Sequence, residues 1–149
     1  MPSNTGGTTA LPNHVCIVVK DIQKTMEFLS SLLGIKPWEL VESTQGKDVV
    51  TVGDPFTIKL AAANWGALGP VALELIQPVK GNSVWAQFLQ AKGEGIHHIA
   101  YGAPNFDKEV SKLKKDGGTL IASGIFGGKR WAYFDTQPGG TVLEIMEQN

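Results

Sequence analysis

An α+β domain made of two strand–helix–three-strand modules is the fold class this sequence predicts, on two observations. His14 to Gly34 overlays His98 to Gly118 without a gap at an offset of 84 residues, and Val71-Ala-Leu-Glu-Leu-Ile76 overlays Thr141-Val-Leu-Glu-Ile-Met146 with Glu74 on Glu144. That offset is far longer than the roughly 20–45 residues of a solenoid repeat, so the copies are modules packed into one domain. A chain of 149 residues also suits a single hydrophobic core.

The elements follow in order. Residues 1–12 are small, polar and aperiodic, and read as a flexible tail ahead of one domain spanning 13–149. Its first module runs to about residue 78, a connector occupies 79–95, and the second module fills 96–149. His14-Val-Cys-Ile-Val-Val19 is short and β-branched, the pattern of a buried strand. Asp21 caps a helix whose apolar residues Ile22, Met26, Leu29 and Leu33 recur at helical spacing until Gly34 stops it. Strands are expected near Trp38 to Glu42, Val49 to Val52 and Phe56 to Ala62, then a turn at Asn64 to Pro70 and a strand Val71 to Gln77 closed by Pro78. In the connector, Val84, Trp85, Phe88 and Leu89 make one helical stripe ending at Gly93. The second module then repeats the first, with Asn105 in the capping position of Asp21, Phe106 on Ile22, Leu113 on Leu29 and Gly118 on Gly34. Near its end, Trp131, Tyr133 and Asp135 alternate with Ala132 and Phe134, a strand with one aromatic face.

Composition narrows the function. Thirteen basic and fourteen acidic residues give a net charge of -1 with no block of one sign, which argues against a nucleic-acid partner. Lys112, Lys114 and Lys115 form the densest basic group and read as a solvated helix face. No apolar run reaches the ~18 residues that span a bilayer, so no membrane partner is expected. The single Cys16 excludes an intramolecular disulfide framework or a CxxC site and fits a reducing, cytoplasmic setting. Any metal must therefore be held by histidine and carboxylate.

Four residues meet that need. A histidine opening a strand, or a glutamate within one, is ordinarily structural when it stands alone. Here both types recur as repeat mates, His14 with His98 and Glu74 with Glu144. Side chains two apart share a strand face, so His98 lies beside the small Ala100 and Gly102, which leave room for a ligand. Two neutral imidazoles and two carboxylates match the charge of a divalent cation such as Zn, Co, Ni or Mn. His97, one residue off, is expected on the opposite face with a structural role.

Asn13-His-Val, Leu73-Glu-Leu-Ile-Gln-Pro78, Ser83-Val-Trp-Ala-Gln-Phe-Leu89, Gly93-Glu-Gly-Ile-His-His-Ile-Ala100, Gly127-Gly-Lys-Arg130 and Val142-Leu-Glu-Ile145 carry a resemblance to the vicinal oxygen chelate superfamily, within it most closely to the methylmalonyl-CoA epimerases. It covers about residues 13–149. It implies paired βαβββ modules forming a curved mixed sheet around a metal site, with His14, Glu74, His98 and Glu144 as ligands. It further implies a homodimer and a small-molecule CoA thioester substrate, with Glu144 as catalytic base and Lys129 and Arg130 near the CoA phosphates. The resembling enzymes place a second catalytic carboxylate on the strand before Glu74. Phe56-Thr-Ile-Lys-Leu-Ala-Ala62 offers none, and Lys59 or Thr57 takes that position.

Three functions are weighed. The first is metal-assisted epimerisation, in which a proton alpha to a thioester is removed and a metal stabilises the enolate. Glyoxalase I shares the same ligand types, but its glutathione pocket ordinarily carries an arginine where this chain has Val18. The third is a non-enzymatic, resistance-type binding protein, which would not need four ligands.

Overall fold

The computed structural model describes residues 11–64, 71–137 and 139–148, and these form nine strands and three helices. The first half contributes β1 (Leu11–Val18), α1 (Ile22–Leu33), β2 (Glu39–Gln45), β3 (Val50–Val52), β4 (Phe56–Asn64) and β5 (Ala72–Lys80). After α2 (Val84–Lys92) come β6 (Gly95–Ala103), α3 (Phe106–Lys115), β7 (Thr119–Phe126), β8 (Lys129–Asp135) and β9 (Val142–Glu147). All strands belong to one mixed sheet in the order β2-β4-β5-β1-β6-β9-β8-β7-β3. The sheet curves almost to closure, because β3 leaves the β2 end of the sheet and pairs with β7 at the other.

The local signals account for the helices. Asp21 and Asn105, repeat mates, each accept a backbone N–H of the first turn, from Lys24 and Lys108, at 3.0 Å. Gly34 closes α1 in the left-handed region with φ 68°, where a side chain would be strained. The overlay of Gly118 on Gly34 does not hold as a helix end. α3 stops at Lys115, two residues shorter than α1, and Gly117 takes the positive φ instead. Asp107 and Glu109 in the first turn of α3 and Lys112, Lys114 and Lys115 in its last complement the helix dipole, and the lysines are exposed.

Several strand boundaries differ from the expectation, β2 among them, which runs on from Glu42 to Gln45. β1 starts at Leu11, inside the expected tail, since Leu11 and Pro12 pair with Gly102 and Tyr101 of β6. Residues 1–10 and most of the expected 64–70 turn lie outside the described residues. β5 continues through Pro78 to Lys80, because Pro78 sits opposite Ile58 beside a bulge where no ladder N–H is required of it.

Parity divides the sheet into two faces. On the outer face α1 covers Ala61 and Leu75 with Ile22, Met26 and Leu29, and α3 covers Ala132, Phe134 and Ile145 with Phe106. On the inner face α2 inserts Trp85 among Cys16, Val18, Phe56, Ile58, Ile76, Trp131 and Tyr133. This aromatic floor fills the hollow of the sheet below the ends of β1 and β6.

Closure by β3 depends on Gly124 of β7. A Cβ there would stand 2.6 Å from the Val49 carbonyl oxygen and 2.7 Å from the Trp131 ring. Gly124→Ala should therefore cost about 1–3 kcal/mol, read as a lower midpoint in thermal denaturation. An unchanged midpoint would mean that β3 is not held against β7.

Candidate metal centre

Strand register brings the four repeated residues together. In β1 and β6, which run antiparallel, His14 lies opposite Ala100 and Cys16 opposite His98. The parallel neighbours are then Glu144 beside Ala100 and Glu74 beside Cys16. Two rows result, His14–Ala100–Glu144 and Glu74–Cys16–His98, all on the inner face. The small residues at the crossing positions let the long ones meet above them.

The convergence is close. His14 Nε2 lies 3.1 Å from His98 Nε2, and Glu144 Oε2 stands 3.0 Å from each. Glu74 Oε1 is 3.4 Å from His14 Nε2 and 3.8 Å from His98 Nε2. All four residues are buried, none more than 8% exposed. The spacing among His14, His98 and Glu144 is the one a metal would impose, since cis donors each about 2.1 Å from an octahedral ion stand about 3.0 Å apart, and Glu74 stands somewhat farther off.

Charge follows from this packing. Burial works to raise the Glu144 carboxyl, but the close His14 and His98 imidazoles win and hold it near 2. Glu74, farther from both rings, goes the other way, raised by burial and by the charge of Glu144. For His14 burial acts downward, yet Glu144 and Glu74 together raise it. Cys16, fully buried below Glu74, is pushed up by burial and by both carboxylates, so it stays a thiol.

His97 corrects the strand reading. Ile96 and His98 oppose the adjacent residues Ile17 and Cys16, leaving His97 as the extra residue of a β-bulge. The bulge breaks alternation and turns His97 onto the inner face, where it packs on Phe88 and Tyr133 and its Nδ1 comes 2.8 Å from His98 Nδ1. Burial, with His98 adding to it, lowers its pKa to about 3 and keeps the ring neutral.

A cavity of about 220 Å³ opens over the tetrad, lined among others by His14, Glu74, Glu144, Gln45, Trp85 and Tyr133. Among the described residues, three buried side-chain polar atoms lack a well-aligned hydrogen bond, Gln45 Oε1, Trp85 Nε1 and Glu144 Oε2, the last held by ion-pair contact with the two imidazoles. All three belong to residues that line this cavity. Buried polar groups are ordinarily satisfied, so their collection in one place fits a site that is completed by a metal and a ligand.

The other candidate residues fare differently. Lys59 is not brought to the site. Its neighbours Ile58 and Leu60 line the cavity, so alternation sends Lys59 to the outer face of β4, paired with Glu42 and Gln77. Thr57 bonds Thr44 across an exposed strand pair. Lys129 and Arg130 do border the cavity, but the Arg130 guanidinium lies over the Phe106 ring and donates to Glu147 and Asp107, each at 2.7 Å. Gln45 was passed over because the expected strand ended at Glu42. The Val41, Ser43, Gln45 alternation carried the signal.

The family model described as Glyoxalase/Bleomycin resistance protein/Dioxygenase superfamily matches residues 13–134. The chain belongs to this superfamily. Proteins that this chain resembles include the human mitochondrial methylmalonyl-CoA epimerase, 34% identical over 69% of this chain and 52% of that protein. The chain thus spans about half the length of the mitochondrial epimerases it matches. A 2-epi-5-epi-valiolone epimerase of an Actinomyces species is 27% identical over 90% of this chain and 77% of its own. Among solved structures, methylmalonyl-CoA epimerase from Mycobacterium tuberculosis superposes with a TM-score of 0.68 at 24% identity, covering 93% of this chain and 87% of that one. That likeness is one of fold.

Without metal the site holds protons in its place. His14 has a raised pKa, so its contribution to stability is complete below its ordinary 6.5 and is lost as pH climbs past that value. Glu74, also raised, acts in the same direction. Chelator-treated protein should melt at progressively lower temperature as pH rises above 6.5, and a divalent ion should flatten the dependence. A metal-free midpoint that climbs over this range would contradict the assignment.

Proposed function

We propose that this chain is a metal-dependent epimerase of a small acyl-CoA, methylmalonyl-CoA or a close relative. The observation that carries the reading is the tetrad beneath a small cavity that gathers the three buried atoms lacking a well-aligned hydrogen bond. Epimerases among the sequence relatives support it. His14, Glu74, His98 and Glu144 would hold the ion, with Co, Zn, Ni and Mn as the candidates. Bound there, a divalent ion supplies Lewis acidity toward a thioester and carboxylate of the substrate.

The chain's own groups do the rest. Glu144, ionised beside two imidazoles, takes the proton alpha to the thioester as the C–H electron pair moves into the carbonyl. Return of a proton to the opposite face needs a second acid. Lys59 lies on the outer side, which leaves Glu74 as the remaining carboxylate among the residues lining the cavity. Trp131 and Tyr133 wall the pocket against water, and Lys129, exposed at the rim, is placed for a CoA phosphate.

The test is deuterium exchange at C2 of methylmalonyl-CoA in D2O with the metal-loaded protein. Exchange should occur and fall about 10²- to 10⁴-fold in Glu144→Gln. Absence of exchange, with turnover of the glutathione hemithioacetal instead, would replace this reading by the glyoxalase one.

We also propose that the protein is a homodimer. Ile96 and Ile99, 66% and 47% exposed, lie with their cross-strand partners Ile17 and Val15 on the outer face between α1 and α3. A bare apolar patch where β1 and β6 run antiparallel suits a two-fold contact with a second copy. Sedimentation should find a dimer for the native chain and a monomer for Ile96→Asp. A monomeric native chain would overturn this. No helix among the described residues is long and apolar enough to cross a membrane, and the lone buried thiol suits a reducing compartment such as the cytoplasm.

A further inference from the structure

The two halves of the sheet carry matching irregularities. In β1, Pro12 and His14 oppose the adjacent residues Tyr101 and Ala100, which leaves Asn13 as an extra residue just as His97 is extra in β6. Asn13 and His97 stand 84 positions apart, the offset of the repeat, and each directly precedes a histidine of the tetrad. Each also meets that histidine at the same atom. Asn13 Oδ1 lies 2.8 Å from His14 Nδ1, and His97 Nδ1 lies 2.8 Å from His98 Nδ1. An amide in one module and an imidazole in the other thus occupy one structural role.

We propose that Asn13 and His97 are positioning residues of the metal centre, paired acceptors that keep the proton of His14 and His98 on Nδ1 and the lone pair on Nε2. The inference rests on the metal reading above. An amide oxygen can only accept, so the hydrogen of that pair comes from His14 Nδ1, and Nε2 is left bare toward His98 and Glu144. The repeat equivalence assigns the same direction to the second pair, with His98 Nδ1 donating to His97 Nδ1 and the His97 proton on its own Nε2. The bulges are what make this possible. In a regular strand the residue before a ligand faces the other side of the sheet, so neither acceptor could reach its ring. His97 also lines a second cavity of about 480 Å³ on the α2 side, so a smaller residue there has room to be solvated.

The two modules supply their own control, because the first already uses an amide for this task. Binding of Co(II) and Zn(II) to the metal-free protein is measured by calorimetry for the native chain and for His97→Asn, His97→Leu, Asn13→Ala and His98→Ala. Loss of an acceptor that orients a ligand histidine should weaken binding about 10- to 100-fold. We expect that loss in His97→Leu and Asn13→Ala, and affinity within a few-fold of native in His97→Asn. Should His97→Leu fail to fold, Asn13→Ala and His97→Asn carry the test alone. Native affinity in Asn13→Ala or in folded His97→Leu overturns the proposal, and so does His97→Asn binding as weakly as His97→Leu at equal thermal stability, which would make the role one of packing. Failure of the native chain to bind either ion, or unchanged binding in His98→Ala, removes the metal reading itself. Tight native binding that His98→Ala abolishes while Asn13→Ala and His97→Leu retain it removes only the positioning role.

Discussion

Two carboxylates, each within 4 Å of the same two imidazoles in a buried hollow, need a shared positive charge, and much of this structure is arranged around that need. In a low-dielectric interior, like charges at such a distance repel strongly unless a cation or a proton lies between them. The requirement fits the short side chains at the crossing points, Cys16 and Ala100, over which the long ones meet. It also explains the curvature. Glu74 and Glu144 come from β5 and β9, the strands that flank the β1–β6 pair, and only a bent sheet points both carboxylates at one spot.

The aromatic floor serves the same end. Trp85 enters from α2, the one helix on the inner face, and with Phe56, Trp131 and Tyr133 it fills the space beneath the tetrad that β3 closes from the far side. The Tyr133 ring packs at 4.7 Å on the His98 ring and lies beside Glu144 in the ladder. These contacts exclude water from one side of the site and leave the cavity above as the approach. Ligand positions are thereby set by strand register and their orientation by packing, so the centre is preorganised on rigid elements rather than on loops.

Much of this was legible in the sequence because repeat symmetry converts directly into geometry. A histidine in the first strand and a glutamate in the last strand of each module become two crossing rows once β1 pairs in parallel with β5 and β6 with β9. What alternation could not reveal is a bulge. His97 falls on the wrong face in any regular strand, and nothing in Gly-Ile-His-His marks the extra residue. The β3–β7 pairing joins segments about 70 residues apart through three residues, a contact without a local signature. Arg130 read as free for phosphate because its partners Asp107 and Glu147 come from α3 and β9, elements that approach only in the folded chain. Lys59 was placed by alignment to an expected carboxylate, whereas its parity on β4 is decided by the flanking Ile58 and Leu60.

The tetrad descends from a repeat and yet is not symmetric. Glu144 touches both imidazoles at 3.0 Å and is held ionised, while Glu74 stands 3.4 and 3.8 Å away and is pushed toward its protonated form. Two carboxylates of one origin thus carry opposite tendencies, set by a displacement of less than 1 Å. Pairs driven apart in this way divide acid and base work between them. Glu74 and Glu144 reach the cavity from opposite flanks of the β1–β6 pair, so two carboxyl groups of opposite tendency face one space from two sides.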